Sequence, residues 1–336
     1  MIKPFLSVLC LTVLLCSSCN KVIKFNEENP ETFLTRSDII NLPFTRTEHG
    51  LISVPVNIDD GAPISMVVDT AATQSAIYNH IYQRLELDQT SATVQIYGMV
   101  ESGIRPEVIL PSIRLDRHKI SALSVAVLKK TEEKGFEAPD VDGLIGLDIL
   151  DDFYIFFDHE RQVLSLIPDN YTPPTLPPSW SRIALKPNPY KSDNQPLRYF
   201  DARVAGNIIP ALFDTGSEFN LINWSAVKHP QVQAVRRSLK KKWEIGGAIG
   251  KFRPRSKINI GDIRSGQRFW PRQDFIVLNF DSLNVLGIED QPFMIAGVDM
   301  IANRTFWLDL KAEEIVFKPD AADRRPNNIN FIVKPF

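Results

Sequence analysis

No cysteine follows Cys19 in this chain of 336 residues, and the three present (Cys10, Cys16 and Cys19) all lie at its start. Everything after residue 19 is therefore without a disulfide, a thiol nucleophile or a cysteine metal site. Its stability has to come from a buried apolar core, which a chain this long can build. Charge of one sign is also missing: 38 Lys and Arg stand against 40 Asp and Glu, a net −2. No broad attraction to nucleic acid follows from that balance. The five histidines (His49, His80, His118, His159 and His229) show no metal-ligand spacing. There is no G-x-S-x-G, no Walker loop and no dinucleotide fingerprint. Ser238-Leu239-Lys240-Lys241 and Ser192-Asp193-Asn194 imitate S-x-x-K and S-D-N, but in reversed order and without K-T-G, so they are coincidences. The apolar run Phe5 to Leu15 is too short for an ordinary spanning helix. What remains is ordinary globular composition, 44% hydrophobic and 23% charged, with room for about two domains.

Within it one stretch stands out. In Ala211-Leu212-Phe213-Asp214-Thr215-Gly216-Ser217 an apolar strand delivers a single acid and then breaks at a turn. A carboxylate at the end of a buried strand loses solvation and must be hydrogen-bonded, paired or protonated. Ser65-Met66-Val67-Val68-Asp69-Thr70-Ala71-Ala72 repeats the pattern 145 residues earlier. Each acid is followed by an apolar-apolar-Gly: Leu144-Ile145-Gly146 after 77 residues, Ile295-Ala296-Gly297 after 83. Both copies then enter an aromatic strand ending in aspartate, Phe156-Phe157-Asp158 and Trp307-Leu308-Asp309, at a constant offset of 151 from the glycines onward. A period near 150 is too long for a solenoid and matches one small domain, so the chain is an internal duplication.

Taken in order, residues 1–18 read as a signal segment, with Lys3 as the positive start and Ser17-Ser18 before Cys19. Cys16-Ser17-Ser18-Cys19 resembles a bacterial lipoprotein box, with Cys16 where that box usually carries Leu, Val or Ile. The resemblance implies acylation of Cys19 and a lipid-membrane partner. Residues 19–45 read as a polar tether, 46–168 as the first lobe, 169–190 as a connector, 191–320 as the second lobe and 321–336 as a tail. Ile167 to Pro189 holds seven prolines, which excludes a helix or a central strand. Alternation predicts hairpins over Val54 to Asp69 and Phe200 to Asp214. A short strand and helix are expected over Ile77 to Leu87, and a helix over Trp224 to about Leu239. The basic run Arg236 to Lys242 then reads as that helix's solvated end. Further strands are expected at Thr93 to Ile96, Val108 to Leu110 and Ile120 to Val127, with Ile258 to Ile260 the counterpart of Val108 to Leu110.

Apolar-Asp-Thr-Gly-Ser with apolar-apolar-Gly about eighty residues on resembles the aspartic peptidases, and the short lobes look more like retropepsin lobes than pepsin lobes. The likeness runs through Leu51 to Leu166 and Phe200 to Phe317. It implies an all-β fold of two retropepsin-like barrel lobes about a pseudo-twofold axis, with few short helices. It implies a catalytic pair, Asp69 and Asp214, working on peptide or protein substrates without metal or cofactor. Thr70 and Thr215 would lock the two acid turns together, Gly216 and Ser217 would support the second, and Gly146 and Gly297 would let a strand pass close behind each acid. One chain then makes the whole site, so a monomer is expected, anchored in the bacterial envelope on the periplasmic side or outer membrane.

Two further readings concern the site. Gln95-Ile96-Tyr97-Gly98-Met99-Val100-Glu101-Ser102-Gly103 matches Glu244-Ile245-Gly246-Gly247-Ala248-Ile249-Gly250, with Gly98 and Gly247 in register. Tyr97, Gly98, Gly246 and Gly247 are the flap and substrate-binding candidates, glycines permitting closure over a substrate. The first acid motif departs from the family at Ala71, where glycine is usual. A positive φ there would cost on the order of 1 kcal/mol, and a negative φ little. An inactive lipoprotein binding peptide or envelope polymer, and a purely structural one, are the alternatives to a peptidase.

Overall fold

The computed structural model describes residues 34–48, 50–87, 91–98, 102–129, 140–189, 196–227, 235–238, 245–246, 251–252, 256–279, 283, 290–301 and 304–319. The signal segment, Cys19, Gly247 and the tail lie outside them, as do Met99 to Glu101 and Ser192 to Asn194.

The molecule is all-β with a few short helices, and its two halves repeat one strand plan. In the first, the hairpin Ile52–Ile58 and Ile64–Val68 feeds the acid strand, which runs parallel to Gly143–Ile145. Ala76–Tyr78 pairs antiparallel to Gly143–Ile145 and parallel to His118–Leu128. Ser102–Leu115 follows, carrying the outer strand Thr93–Tyr97. Asn57 pairing Arg114 and Ile58 pairing Ile113 curl this sheet back on itself. The second half pairs Tyr199–Val204 with Asn207–Phe213, then Met294–Ala296, Leu221–Ile222, Arg268–Val277, Ser256–Ser265 and Val235–Ser238, and Arg203 pairing Arg264 makes the matching closure. The register itself is copied: Met66 faces Gly143 as Ala211 faces Met294, and Ala76 faces Ala126 as Leu221 faces Ile276.

A third sheet belongs to both halves. Its order is Ile40–Pro43, Val163–Pro168, Phe153–Asp158, Phe306–Asp309, Glu314–Phe317 and Ser181–Ala184. At its centre Phe156 pairs Trp307, Ile155 pairs Leu308 and Phe157 pairs Phe306. Phe156 and Trp307 are themselves equivalents at the 151-residue offset, so the pseudo-twofold axis passes between them. Burying a large apolar side chain contributes about 1.5–3 kcal/mol. Here Phe157 and Phe306 stack with centroids 4.5 Å apart, which adds about 0.5–1.5 kcal/mol. One apolar cluster consequently runs from Val56 and Leu164 to Phe213 and Ile315, so the halves share a core as well as a sheet.

Three sequence readings are corrected. A tether is expected to reach residue 45, but Leu34, Ile39, Ile40, Leu42 and Phe44 are buried and Ile40–Pro43 is a strand of the shared sheet. The connector carries Ser181–Ala184 as that sheet's opposite edge, paired with Glu314–Phe317, a place compatible with flanking prolines. The helix expected to Leu239 covers only Trp224–Val227, and Val235–Ser238 is a strand paired with Ser256–Ser265. Arg236 and Arg237 therefore belong to a strand and not to a helix end: a free sheet edge overrode a weak local preference.

Candidate active site

Each acid sits where its strand leaves the sheet. The Asp69 N–H donates to the Ile145 carbonyl at 2.9 Å and the Asp214 N–H to that of Ala296 at 3.2 Å, so both turns hang from the strand before the downstream glycine. Backbone donors hold the carboxylates. The N–H groups of Ala71 and Ala72 reach Asp69 Oδ1 at 2.9 and 3.0 Å, and that of Gly216 reaches Asp214 Oδ1 at 2.8 Å.

The two turns interlock through their threonines. The Thr70 N–H donates to Thr215 Oγ1 and the Thr215 N–H to Thr70 Oγ1, each at 3.1 Å. Thr70 Oγ1 donates to the Phe213 carbonyl at 3.0 Å and Thr215 Oγ1 to that of Val68 at 2.6 Å. Both threonines are buried, so each bond contributes on the order of 1 kcal/mol and an orphaned member would cost more. This is the cross-axis lock expected from the resemblance.

Gly216 lies against both carboxylates. A Cβ there would lie 2.3 Å from Asp69 Cγ and 2.4 Å from Oδ2, while its own N–H holds Asp214. Those short steps, joined by standard bond lengths, put the two carboxylates within about 8 Å of each other. Neither Gly216 nor Ala71 has a positive φ among the described residues, so glycine is required at 216 for space and not for backbone conformation. Ala71 is therefore unstrained in its backbone, and its side chain packs against the cluster of Tyr199, Leu212 and Leu221. Gly146 and Gly297 are close-approach glycines too: a Cβ would meet the Ala72 carbonyl at 2.8 Å and the Phe219 carbonyl at 2.4 Å.

Burial pushes both acids above the usual carboxylate range. Asp214 is raised further by the charge of Asp69, against the opposing backbone donors of Gly216 and Ser217. Asp69 is raised by burial, and the Ala71 and Ala72 donors oppose it. Burial thus acts on both acids in the same direction, and the charge of Asp69 adds to it at Asp214.

Several supporting residues escaped the motif reading. Ser75 Oγ accepts the Gly146 N–H at 3.0 Å and donates to Asp148 Oδ1 at 2.7 Å. Asn220 Oδ1 accepts the Gly297 N–H at 3.0 Å. Ser75 and Asn220 are 145 residues apart, so the duplication itself was the signal that could have found them. Ser217 Oγ turns inward to the Phe219 carbonyl at 2.8 Å. Among the described residues no group of three or more His, Cys, Asp or Glu is placed to hold a metal ion.

Thr93–Tyr97 and Ser102–Leu115 form the first flap hairpin, with Tyr97 opposite Ser102 and Gly98 buried. Strand alternation turns Val94 and Ile96 inward, against Ala76, Ala126 and Leu128, and leaves Tyr97 outward at 54% exposure. Val94 and Ile96, then, are the flap side chains that pack on the first lobe. In the second lobe Ile245–Gly246 pairs Lys251–Phe252, making the equivalent hairpin, and Gly247 lies outside the described residues.

Two duplicated lobes, a lock of paired threonines and a carboxylate from each half make a bilobal, retropepsin-like fold. The first lobe matches the family model described as "Aspartyl protease" over residues 54–149. Among solved structures the chain resembles a retropepsin-like aspartic protease from Rickettsia conorii, at 19% identity, covering 38% of this chain and 88% of that one, with a TM-score of 0.27. No curated protein matches the sequence.

Proposed function

We propose that the protein is an aspartic endopeptidase that hydrolyses peptide bonds through a water held by Asp69 and Asp214. The observation that carries the reading is the pair of carboxylates that both meet Gly216, each gripped by backbone N–H groups. Asp69, with two donors on one oxygen, is the ionised member; Asp214, raised by the neighbouring charge, carries the proton. Asp69 takes a proton from the water as its oxygen bonds to the scissile carbonyl carbon, and Asp214 protonates the carbonyl oxygen. The resulting diol returns a proton to Asp214 as the C–N bond breaks, and Asp69 delivers its proton to the leaving nitrogen. The flap hairpins shield the step from bulk water.

Both acids being raised, the one-proton state is lost as pH rises through the upper of the two apparent values, so hydrolysis should peak on the acidic side. The test is a library of quenched fluorescent peptides from pH 3 to 8, roughly the span over which a coupled carboxylate pair titrates. Turnover should survive a chelator and a thiol-blocking reagent. An alkaline optimum would sink the shared-proton mechanism.

Ala71 supports a second reading, an inactive peptide-binding lipoprotein. At the equivalent position 216 no Cβ fits against the opposite acid, so the methyl group makes the two halves of the dyad unequal. Peptide binding without turnover at any pH in that span would favour it.

The envelope anchor is proposed from Ser17-Ser18-Cys19 alone. Because a single acyl chain binds membranes only marginally, stable anchoring calls for multiple acylation. Cells fed labelled palmitate should label the protein and retain it in the membrane fraction, and Cys19→Ser should release or misprocess it. A soluble, unlabelled wild type refutes the anchor.

A further inference from the structure

The two lobes differ at one place that their duplication makes easy to see. Asn223 opens the helix Trp224–Val227 in the second lobe, and its buried Oδ1 accepts the Ala226 N–H at 3.0 Å and the Phe293 N–H at 3.0 Å. The counterpart 145 residues earlier is Tyr78, which opens the helix Asn79–Arg84 and provides no side-chain cap. The backbones are equivalent, since the Tyr78 N–H bonds the Asp142 carbonyl as the Asn223 N–H bonds that of Phe293. Giving up a capping side chain costs about 1 kcal/mol. Local rules are broken in this way at functional positions.

The surroundings show what takes the place of the cap. Where the second lobe has Leu221 and Ile276, the first has Ala76 and Ala126, and Tyr78 packs against the small cluster of those two alanines and Leu128, as do Val94 and Ile96 of the flap hairpin. Tyr78 and the flap strand thus share one apolar patch of the first lobe. Both Asp69 and, from the other lobe, Glu218 act electrostatically on its hydroxyl, which has no hydrogen-bond partner among the described residues. Burial and those two acids raise the phenol above its usual range, so it stays a neutral donor throughout the working pH.

We propose that Tyr78 is a substrate-positioning residue, its hydroxyl donating a hydrogen bond to a backbone carbonyl of the bound peptide beside the Asp69 half of the dyad; this rests on the peptidase reading above. Donor and flap wall on one side, with no equivalent at Asn223, give the cleft a direction and fix which way the peptide chain runs.

Tyr78→Phe keeps the ring packing and removes only the donor. It should raise KM about tenfold, the worth of one neutral hydrogen bond. The dissociation constant of a hexapeptide carrying a hydroxyethylene in place of its scissile amide should rise by the same factor, while kcat stays within about twofold and Tm is unchanged. Unaltered KM and inhibitor affinity in Tyr78→Phe, beside a wild type that cleaves peptides, would overturn the positioning role and leave the peptidase reading intact. If wild type binds the hexapeptide without cleaving peptides, the peptidase reading fails, and the Tyr78→Phe affinity alone decides for or against the role. A wild type that neither cleaves nor binds overturns both.

Discussion

Asp214→Asn is expected to abolish peptide turnover while leaving the fold intact. The variant keeps an oxygen for the Gly216 N–H but loses the proton that Asp214 would pass to the scissile carbonyl. Its effect on stability runs the other way. Asp214 is raised in the folded state by burial and by the charge of Asp69. Between its unfolded and folded values the native state therefore binds more protons than the unfolded one, and stability falls as pH rises through that window. Removing the ionisable group removes the penalty. Compared with wild type, Asp214→Asn should gain stability steadily from about pH 4 upward, by on the order of a few degrees in Tm at pH 8. Thermal melts of both proteins across that range check the sign, and peptide assays check the loss. Unchanged hydrolysis in the variant would defeat the enzyme reading outright. A stability difference that shrank with pH would mean that Asp214 is not the strained partner.

Gly216→Ala should be nearly as damaging to activity, by a different route. Its Cβ would fall 2.3 Å from Asp69 Cγ, inside any permitted contact, and the neighbouring atoms belong to a carboxylate already held by two backbone donors. Either Asp69 gives up those bonds or the threonine lock opens. The expected cost is about 1–3 kcal/mol of stability. A displacement of about 1 Å at the reacting groups should lower kcat/KM on the order of a hundredfold. The reverse change in the other lobe should do little. Ala71 has no positive φ, so Ala71→Gly relieves no backbone strain and costs about 0.5–1 kcal/mol through added chain freedom, with turnover within about threefold of wild type. Denaturant melts and kinetics on the two variants settle both points. A large gain in rate for Ala71→Gly would show that the methyl group holds the dyad apart.

The sequence by itself determined the duplication, the two acids, their threonines and the glycines behind them. Each is a short local pattern, an apolar strand delivering one polar group into a turn, and repetition at 145 to 151 residues made each copy a control for the other. It left the backbone conformation of Ala71 open between two signs of φ, and only the folded turn resolved it. Tertiary structure alone made Ile40–Pro43 a strand, because its edge is completed by Val163–Pro168 more than a hundred residues away. It likewise turned Val235–Ser238 from an expected helix into a partner of Ser256–Ser265. The match between the two glycine-bearing segments named Tyr97 as a flap side chain, but the face presented inward is set by register with Ser102–Leu115, which brings Val94 and Ile96 instead. The influence of Glu218 on Tyr78 depends on two lobes meeting about an axis through Phe156 and Trp307. Residues 140 positions apart carry no local signal of such a meeting; only the packed interface between the halves creates it.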